Sequence, residues 1–434
     1  MPDEIHYPQT SAALGQILSS LNQSHKSFRV LGSCLSPSDI ALSNSTLINL
    51  KHFDHILDID KQAKKLTVQA GVQLREIHRS LAKNGLALPV SGSITGQTIA
   101  GATATAVHGT GLNNGSFSDL VSAINLVNVD GQRLSYDEAH DDFYGITCHL
   151  GSLGVIESLT LKLEDAFDLV VNEQPNSLDA VLNNLADDLN ADYYRFWLLP
   201  HTDRVWQWKA TKQIPQHCDK KMTWQDRIKS WYQEKWINYH CFEFLLFLST
   251  YRPNSLPAVH RWMVKQRFSA PRHLQGNGVE MMTFDCLFKQ HVNEWCIPIE
   301  KTEEAIKSLL ALIEAKQFKV HLPIEVRFVK ADKSWMSPNY GRDSCYIGII
   351  AYTPYQRETD FRAYFDAFEQ LMSRLGGRPH WAKRFNQPVE DLALSYPKWN
   401  NFQQLRKKLD PHYRLQNDFT RRTLDYHVPA MEKK

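Results

Sequence analysis

In PIEVRFVK (residues 323–330) the apolar Ile324, Val326 and Phe328 alternate with Glu325 and Arg327. A period of two sends Glu325 and Arg327 out of one strand face while their neighbours pack behind it. A carboxylate and a guanidinium so placed can hold a hydroxylated substrate in a fixed orientation, although a solvated strand face carries the same pattern. GGRPHWAKRF (376–385) sets two glycines and a proline ahead of an aromatic and Lys383. The turn either leaves that lysine on the surface or swings it into a cleft, where its charge would serve an anionic cofactor or intermediate.

A second kind of chemistry is written in residues 91–111, SGSITGQTIAGATATAVHGTG. Sixteen of these 21 residues are Gly, Ala, Ser or Thr. Such a run cannot build a core, but it can bring backbone N–H groups and small hydroxyls against something flat and polar. The alternatives are a linker and an Ala/Gly helix. Ile94, Ile99 and Val107 argue against the linker, and four glycines before Gly111 argue against one continuous helix.

The elements that must position these groups are legible in outline. Residues 10–24 are amphipathic, 28–32 (FRVLG) read as a strand, and SCLSPSD (33–39) sets a turn. Strands are expected at 46–49, 56–59 and 66–70, then a helix at 73–84 through Leu74, Ile77 and Leu81. Residues 124–129 and 133–135, joined by Asp130-Gly131, read as a hairpin, and GSLGVIESLTLKL (151–163) as a turn and strand. From 166 to about 300 the chain is rich in Trp and Tyr, which suggests a second domain with long helices around 224–250 and 258–268. The segment 243–268 is apolar and then basic; a buried domain core is the expectation, with membrane-surface contact the alternative. Residues 302–314 form an amphipathic helix, and 402–424 a helix, a Pro-marked stop and a closing arm.

Composition narrows the class. A chain of 434 residues holds two or three domains, and 43% hydrophobic with 22% charged residues is ordinary for a globular protein. A formal net charge of +2 with no Lys/Arg block predicts no nucleic-acid partner. Seven scattered cysteines without a CxxC pair signal neither a zinc site nor a redox pair, so no metal is expected and a reducing compartment fits. The N-terminus has no signal-peptide pattern, and the apolar patch at 241–251 is too short to span a bilayer, so a cytoplasmic location is expected.

Seven motifs in order, RVLGSCLSPSD (29–39), the 91–111 stretch, GSLGVI (151–156), EVRF (325–328), RDSCY (342–346), GGRPHWAK (376–383) and LRKKLDP (405–411), together with FDCLFKQHVNEWCIP (284–298), resemble the aldonolactone oxidoreductases. These flavoenzymes belong to the vanillyl-alcohol oxidase superfamily, with an FAD domain of the p-cresol methylhydroxylase type. The resemblance implies an α+β, two-domain flavoprotein: an FAD-binding domain over 1–165, a substrate (cap) domain over 166–384, and a segment at 385–434 returning to the FAD domain. No Rossmann GxGxxG is present. Leu31, Gly32, Ser33, Cys34, Leu35 and Ser36 match the family's pyrophosphate loop. Gly92, Ser93, Thr98, Gly101, Ala102, Thr105, His108 and Gly109 match the stretch that lines FAD, and Gly154, Val155 and Ile156 the part that closes over its nucleotide end. Glu325, Arg327 and Lys383 match the charged groups on the substrate side, with Ser93 near the ring. The implied reaction is hydride transfer from a sugar lactone to FAD, with O2 or another electron acceptor completing the turnover. An alditol oxidase and a non-catalytic flavin-binding protein are the alternatives.

One position departs from the family pattern, and a second bears on the electron acceptor. The Gly-His whose histidine bonds covalently to flavin is Cys34-Leu35 here, and leucine has no nucleophile, so non-covalent FAD is expected. Gly92 stands where the family's dehydrogenases tend to carry alanine and its oxidases glycine, which points to O2 as acceptor.

Overall fold

The computed structural model describes residues 2–215, 236, 239–283 and 289–426. Ten short strands come first: β1 (Glu4–His6), β2 (Phe28–Leu31), β3 (Thr46–Asn49), β4 (Ile56–Asp60), β5 (Lys65–Gln69), β6 (Leu86–Ala87), β7 (Val121–Val127), β8 (Arg133–Asp137), β9 (Val155–Lys162) and β10 (Glu164–Asp165). β1, β3 and β2 make a parallel sheet in that order, and β4, β5, β9, β7 and β8 an antiparallel one; β6 pairs with β10. The β7–β8 hairpin turns through Gly131, whose φ of 82° suits glycine.

The helix Ser11–Gln23 begins where the Thr10 hydroxyl accepts the Ala13 N–H, and it buries Leu14, Leu18 and Leu21. Those side chains join one core with Phe28, Ile48, Val68, Ile99 and Leu159. The expected closing arm returns to this core as three helices, Val389–Ser395, Trp399–Leu409 and Asp418–Leu424, which add Leu392, Phe402, Leu405 and Phe419. Arg29 ties the arm down: its guanidinium donates to the carbonyls of Ile40, Leu150, Gly151 and Leu415.

The second half is an antiparallel sheet of eight strands: β11 (Asp168–Ser177), β12 (Tyr193–Leu198), β13 (Arg204–Gln213), β14 (Arg272–Asn277), β15 (Gln290–Pro298), β16 (Ile324–Val329), β17 (Ser344–Tyr352) and β18 (Arg378–Pro379), in the order β14-β11-β13-β12-β16-β17-β15-β18. For the Trp-rich stretch long helices were expected only around 224–250 and 258–268. Within 168–213, where no element was assigned, it supplies three strands, placing Trp206 and Trp208 on β13. The helix expected over 224–250 lies mostly outside the described residues; Phe242–Ser249 and Leu256–Arg267 are helical. They bury Phe242, Leu246, Leu256 and Met263, whereas Phe244 and Leu248 are exposed, so segment 243–268 is only partly core. Among the described residues no helix is long and apolar enough to cross a membrane.

One face of the large sheet carries Phe196, Val326, Phe328, Ile347, Ile349 and Trp295 against the helices Thr302–Ala315 and Arg362–Arg374. Alternation therefore turns the residues between them to the opposite face. Strand register aligns these in two rows. One runs Glu173, Trp208, Arg195, Arg327, Tyr346, Cys296, and the next Trp206, Trp197, Glu325, Gly348, Glu294.

Candidate active site

The loop after the small-residue stretch is stapled to β16. The Gly111 N–H donates to the Phe328 carbonyl at 2.6 Å, the Phe328 N–H donates to the Thr110 hydroxyl at 3.2 Å, and the Lys330 N–H donates to Asn114 at 3.0 Å. The Thr110 hydroxyl also donates to the Tyr194 carbonyl. Gly111 has φ 112°, and a Cβ there would run into the Asp192 carbonyl. The Ser116 hydroxyl donates to Asp332 at 2.8 Å. These bonds bring His108 beneath the polar face of the large sheet, its ring stacked on Tyr346 at 3.6 Å between centroids.

A carboxylate that sequence reading did not single out organises the cluster. Glu294 of β15 is 3% exposed; it pairs with Arg327 and has Lys383 Nζ at 3.8 Å and His108 Nε2 at 3.6 Å. Arg327 Nε lies 3.6 Å from Glu325, and Arg195 of β12 approaches Glu325 from the other side at 3.6 Å. Arg195 is itself held between Trp197 and Trp208, 4.9 and 4.5 Å from the ring centres. Glu325, Arg327 and Lys383, expected from sequence to act together, are thus joined through Glu294, with Arg195 beside them.

Electrostatics follow from burial and partners. Burial would raise the Glu294 carboxyl, but Arg327 and Lys383 outweigh it and hold it well below the usual carboxylate range. Burial would also lower Arg327, and the carboxylates of Glu294 and Glu325 raise it above its ordinary value instead. His380, the third group near Glu294, is pushed down to about 3 by burial, and His108 falls well below its normal value for the same reason, reinforced by Arg327. Both rings are therefore neutral at pH 7. His108 donates from Nδ1 to the Gly109 carbonyl at 2.9 Å and so turns a bare Nε2 inward; His380 accepts the Ala382 N–H on Nδ1 at 3.1 Å. The ligating atoms of His108, Glu294 and His380 lie within 4.8 Å of one another. A divalent cation there would meet the fixed charges of Arg327 and Lys383 on the same carboxylate, so we read the group as a charge network.

The FAD-side residues line a cavity of about 420 Å³ between the two smaller sheets. Leu31, Gly32, Ser33, Thr98, Gly101, Gly154, Val155 and Ile156 are in its wall. A second cavity of about 110 Å³ shares Gly32, Ser33, Thr98 and Gly101 with it and adds Cys34, Leu35, Ser36 and Thr105. The wall is open because side chains are missing. A Cβ at Gly32 would collide with Thr98 Oγ1, and one at Gly154, with φ 148°, would lie 2.8 Å from Leu126. Such a groove, walled by backbone, fits the elongated dinucleotide of FAD. Cys34 sits at φ 52° and its thiol is pushed up by burial, which leaves it a poor nucleophile at neutral pH.

Five expected residues line neither cavity. Ala102 is turned into the apolar core by the helix Ile99–Ala104. His108 belongs to the charged cluster, and Gly109 backs against the Ser91 carbonyl, where a Cβ would lie 2.8 Å away. Gly92 is buried and Ser93 half-buried in the loop leading to that helix. Sequence reading missed Glu294, Arg195, Tyr346 and His380. For Glu294 a signal was present, a lone carboxylate inside the strand VNEWCI.

Comparison with known proteins agrees with this arrangement. The profile of the D-arabinono-1,4-lactone oxidase family matches residues 159–423, and that of FAD binding domains matches residues 2–136. The chain is 35% identical to the L-gulonolactone oxidase of Mus musculus over 94% of this chain and 92% of that protein. It is 31% identical to the L-gulono-1,4-lactone dehydrogenase of Mycobacterium tuberculosis over 98% and 96%. Among solved structures, a solvent-stable cholesterol oxidase superposes with a TM-score of 0.75 at 14% identity, covering 97% of this chain and 95% of that one, a likeness of fold alone.

Proposed function

The chain belongs to the D-arabinono-1,4-lactone oxidase family, an FAD-binding oxidoreductase family, and from that premise we propose that it oxidises a sugar 1,4-lactone at a carbon bearing a hydroxyl. Bound FAD supplies the hydride acceptor. Glu325 orients the substrate hydroxyl and takes its proton as the adjacent C–H leaves as hydride, so that a carbonyl forms. Arg195 and Arg327 fix the Glu325 carboxylate from two sides. Arg327 and Lys383 also place positive charge where negative charge develops on the acceptor, while Glu294 sets their positions. Ser93 serves as a hydrogen-bonding group near the ring or substrate. The observation that carries this reading is the meeting of charged groups from four distant segments around Glu325.

Leu31 to Ser36 and Thr98 to Thr105 hold FAD without a covalent bond, because Leu35 offers no nucleophile and the Cys34 thiol stays protonated. We take O2 as the acceptor, with hydrogen peroxide as product, on the strength of Gly92. A dehydrogenase with another acceptor is the second reading, favoured by the absent flavin linkage, which lowers the flavin potential. The location is read as cytoplasmic, with the exposed Phe244 and Leu248 as the point of any peripheral membrane contact.

Anaerobic mixing of the yellow protein with L-gulono-1,4-lactone, followed by air, tests the proposal. Bleaching with rapid recovery is expected. Bleaching without recovery would mean a dehydrogenase, and no bleaching by this or related lactones would remove the lactone reading.

A further inference from the structure

On the polar face of the large sheet Gly348 of β17 is registered with Glu325 on one side and Glu294 on the other. The same face carries Tyr346 two residues before it and Ile350 two after, so no side chain stands at 348 between Glu325 and Glu294, and the small gap left there is bordered by the Glu294 side chain. Nothing in the backbone demands glycine: Gly348 is not among the residues with positive φ. Nor does packing demand it. A Cβ at this position would rest on Glu294 at 3.7 Å or more, an ordinary contact. Glycine inside a nine-residue strand weakens it, and an unforced one commonly marks the close approach of a ligand.

We propose that Gly348 is a specificity-determining position, its gap receiving the hydroxylated side chain that a 1,4-lactone carries beyond its ring. This rests on the lactone reading and names the part of the substrate that it selects. Glu294 Oε1 lies 3.7 Å from where a Cβ at 348 would stand, with Glu325 in register on the other side, and carboxylate oxygens accept hydrogen bonds from hydroxyl groups and suit a polyol arm. A methyl at 348 shortens the gap without displacing the Arg327–Glu294 pair. It should therefore penalise a six-carbon lactone, with two carbons outside the ring, more than a five-carbon lactone, with one.

The test is Gly348→Ala in the FAD-loaded enzyme, assayed with L-gulono-1,4-lactone and D-arabinono-1,4-lactone, with thermal melting measured alongside. The KM for the six-carbon substrate should rise about tenfold more than that for the five-carbon one, with kcat little changed and the melting temperature equal or higher. Gly348→Val should widen the ratio. Equal changes in both KM values, or none, would overturn the assignment, and so would a lower melting temperature, which would mean that the gap serves packing. If the wild-type enzyme oxidises neither lactone, the lactone reading has failed and this assignment goes with it. A wild type that oxidises both and a variant that does not discriminate would sink the assignment alone.

Discussion

Arg327 and Glu294 bond across a strand that belongs to neither: β16 and β15 flank β17, and the guanidinium reaches the carboxylate over it. Both groups are buried, so removing one charge leaves the other unpaired. Glu294→Gln keeps the shape and deletes the charge. We expect a stability loss of about 3 kcal/mol in urea unfolding and flavin reduction slower by orders of magnitude. Arg327→Ala should slow anaerobic reduction at least as much, and unchanged reduction in that variant would take Arg327 out of the mechanism.

Arg195 touches Glu325 and is clamped between Trp197 and Trp208, so it acts as a positioning residue. Arg195→Lys retains the charge but loses the flat surface that stacks. The expected result is a kcat reduced about tenfold with KM little altered, accompanied by a change in tryptophan emission. Full activity with altered emission would assign Arg195 to packing only.

These groups were legible to different degrees. The alternation of 323–330 exposed Glu325 and Arg327 because their neighbours pack on one apolar side. Leu14, Leu18 and Leu21 gave their helix away by spacing alone. Strand β12, YYRFWL, is buried on both faces, which erases the alternation, and its aromatics pointed to a second domain without showing a strand. Glu294 escaped for another reason. Its partners Arg327, Lys383 and His108 are remote in sequence, and no local pattern says that a carboxylate is neutralised from elsewhere.

Gly92 is buried, and a Cβ there would meet Val107 Cγ1 at 3.3 Å and Gln97 Oε1 at 3.8 Å, so an alanine fits with a small adjustment. Gly92→Ala should leave anaerobic bleaching by lactone intact and slow the return of colour in air. Stopped-flow reoxidation against O2 concentration measures this. An unchanged rate would disconnect Gly92 from oxygen access.

The cofactor should be removable. Acid precipitation of the yellow protein is expected to leave FAD in the supernatant; colour retained in the pellet would indicate a covalent bond, with Cys34 as its source. Gly32→Val drives a branched side chain into Thr98 at the cavity wall, and the variant should purify colourless.

Acid should destabilise the fold well above the carboxylate range. Burial lowers His78 and His321 to about 4, and His149, His260 and His380 to about 3. In the unfolded chain these rings take up protons near pH 6.5, which the folded protein refuses until far lower pH. Their stabilisation is thus complete above pH 6.5 and is lost as pH falls toward 4 and 3. Asp332 has the opposite sign: burial raises it to about 7, so its contribution disappears as pH rises through that value. Buried histidines lowered in this way, His108 and His201 among them, outnumber the carboxyls that burial raises, Asp332, Asp119, Glu369 and Asp410, and predict a net fall in the urea midpoint from pH 7.5 to pH 5. His78 provides the attribution, because neither of its ring nitrogens has a partner among the described residues. His78→Leu should raise the midpoint at pH 5 and lessen its pH dependence, with the gain over wild type shrinking toward pH 8. A wild-type midpoint that stays flat from pH 7.5 to pH 5 would show that these histidines are protonated in the folded protein.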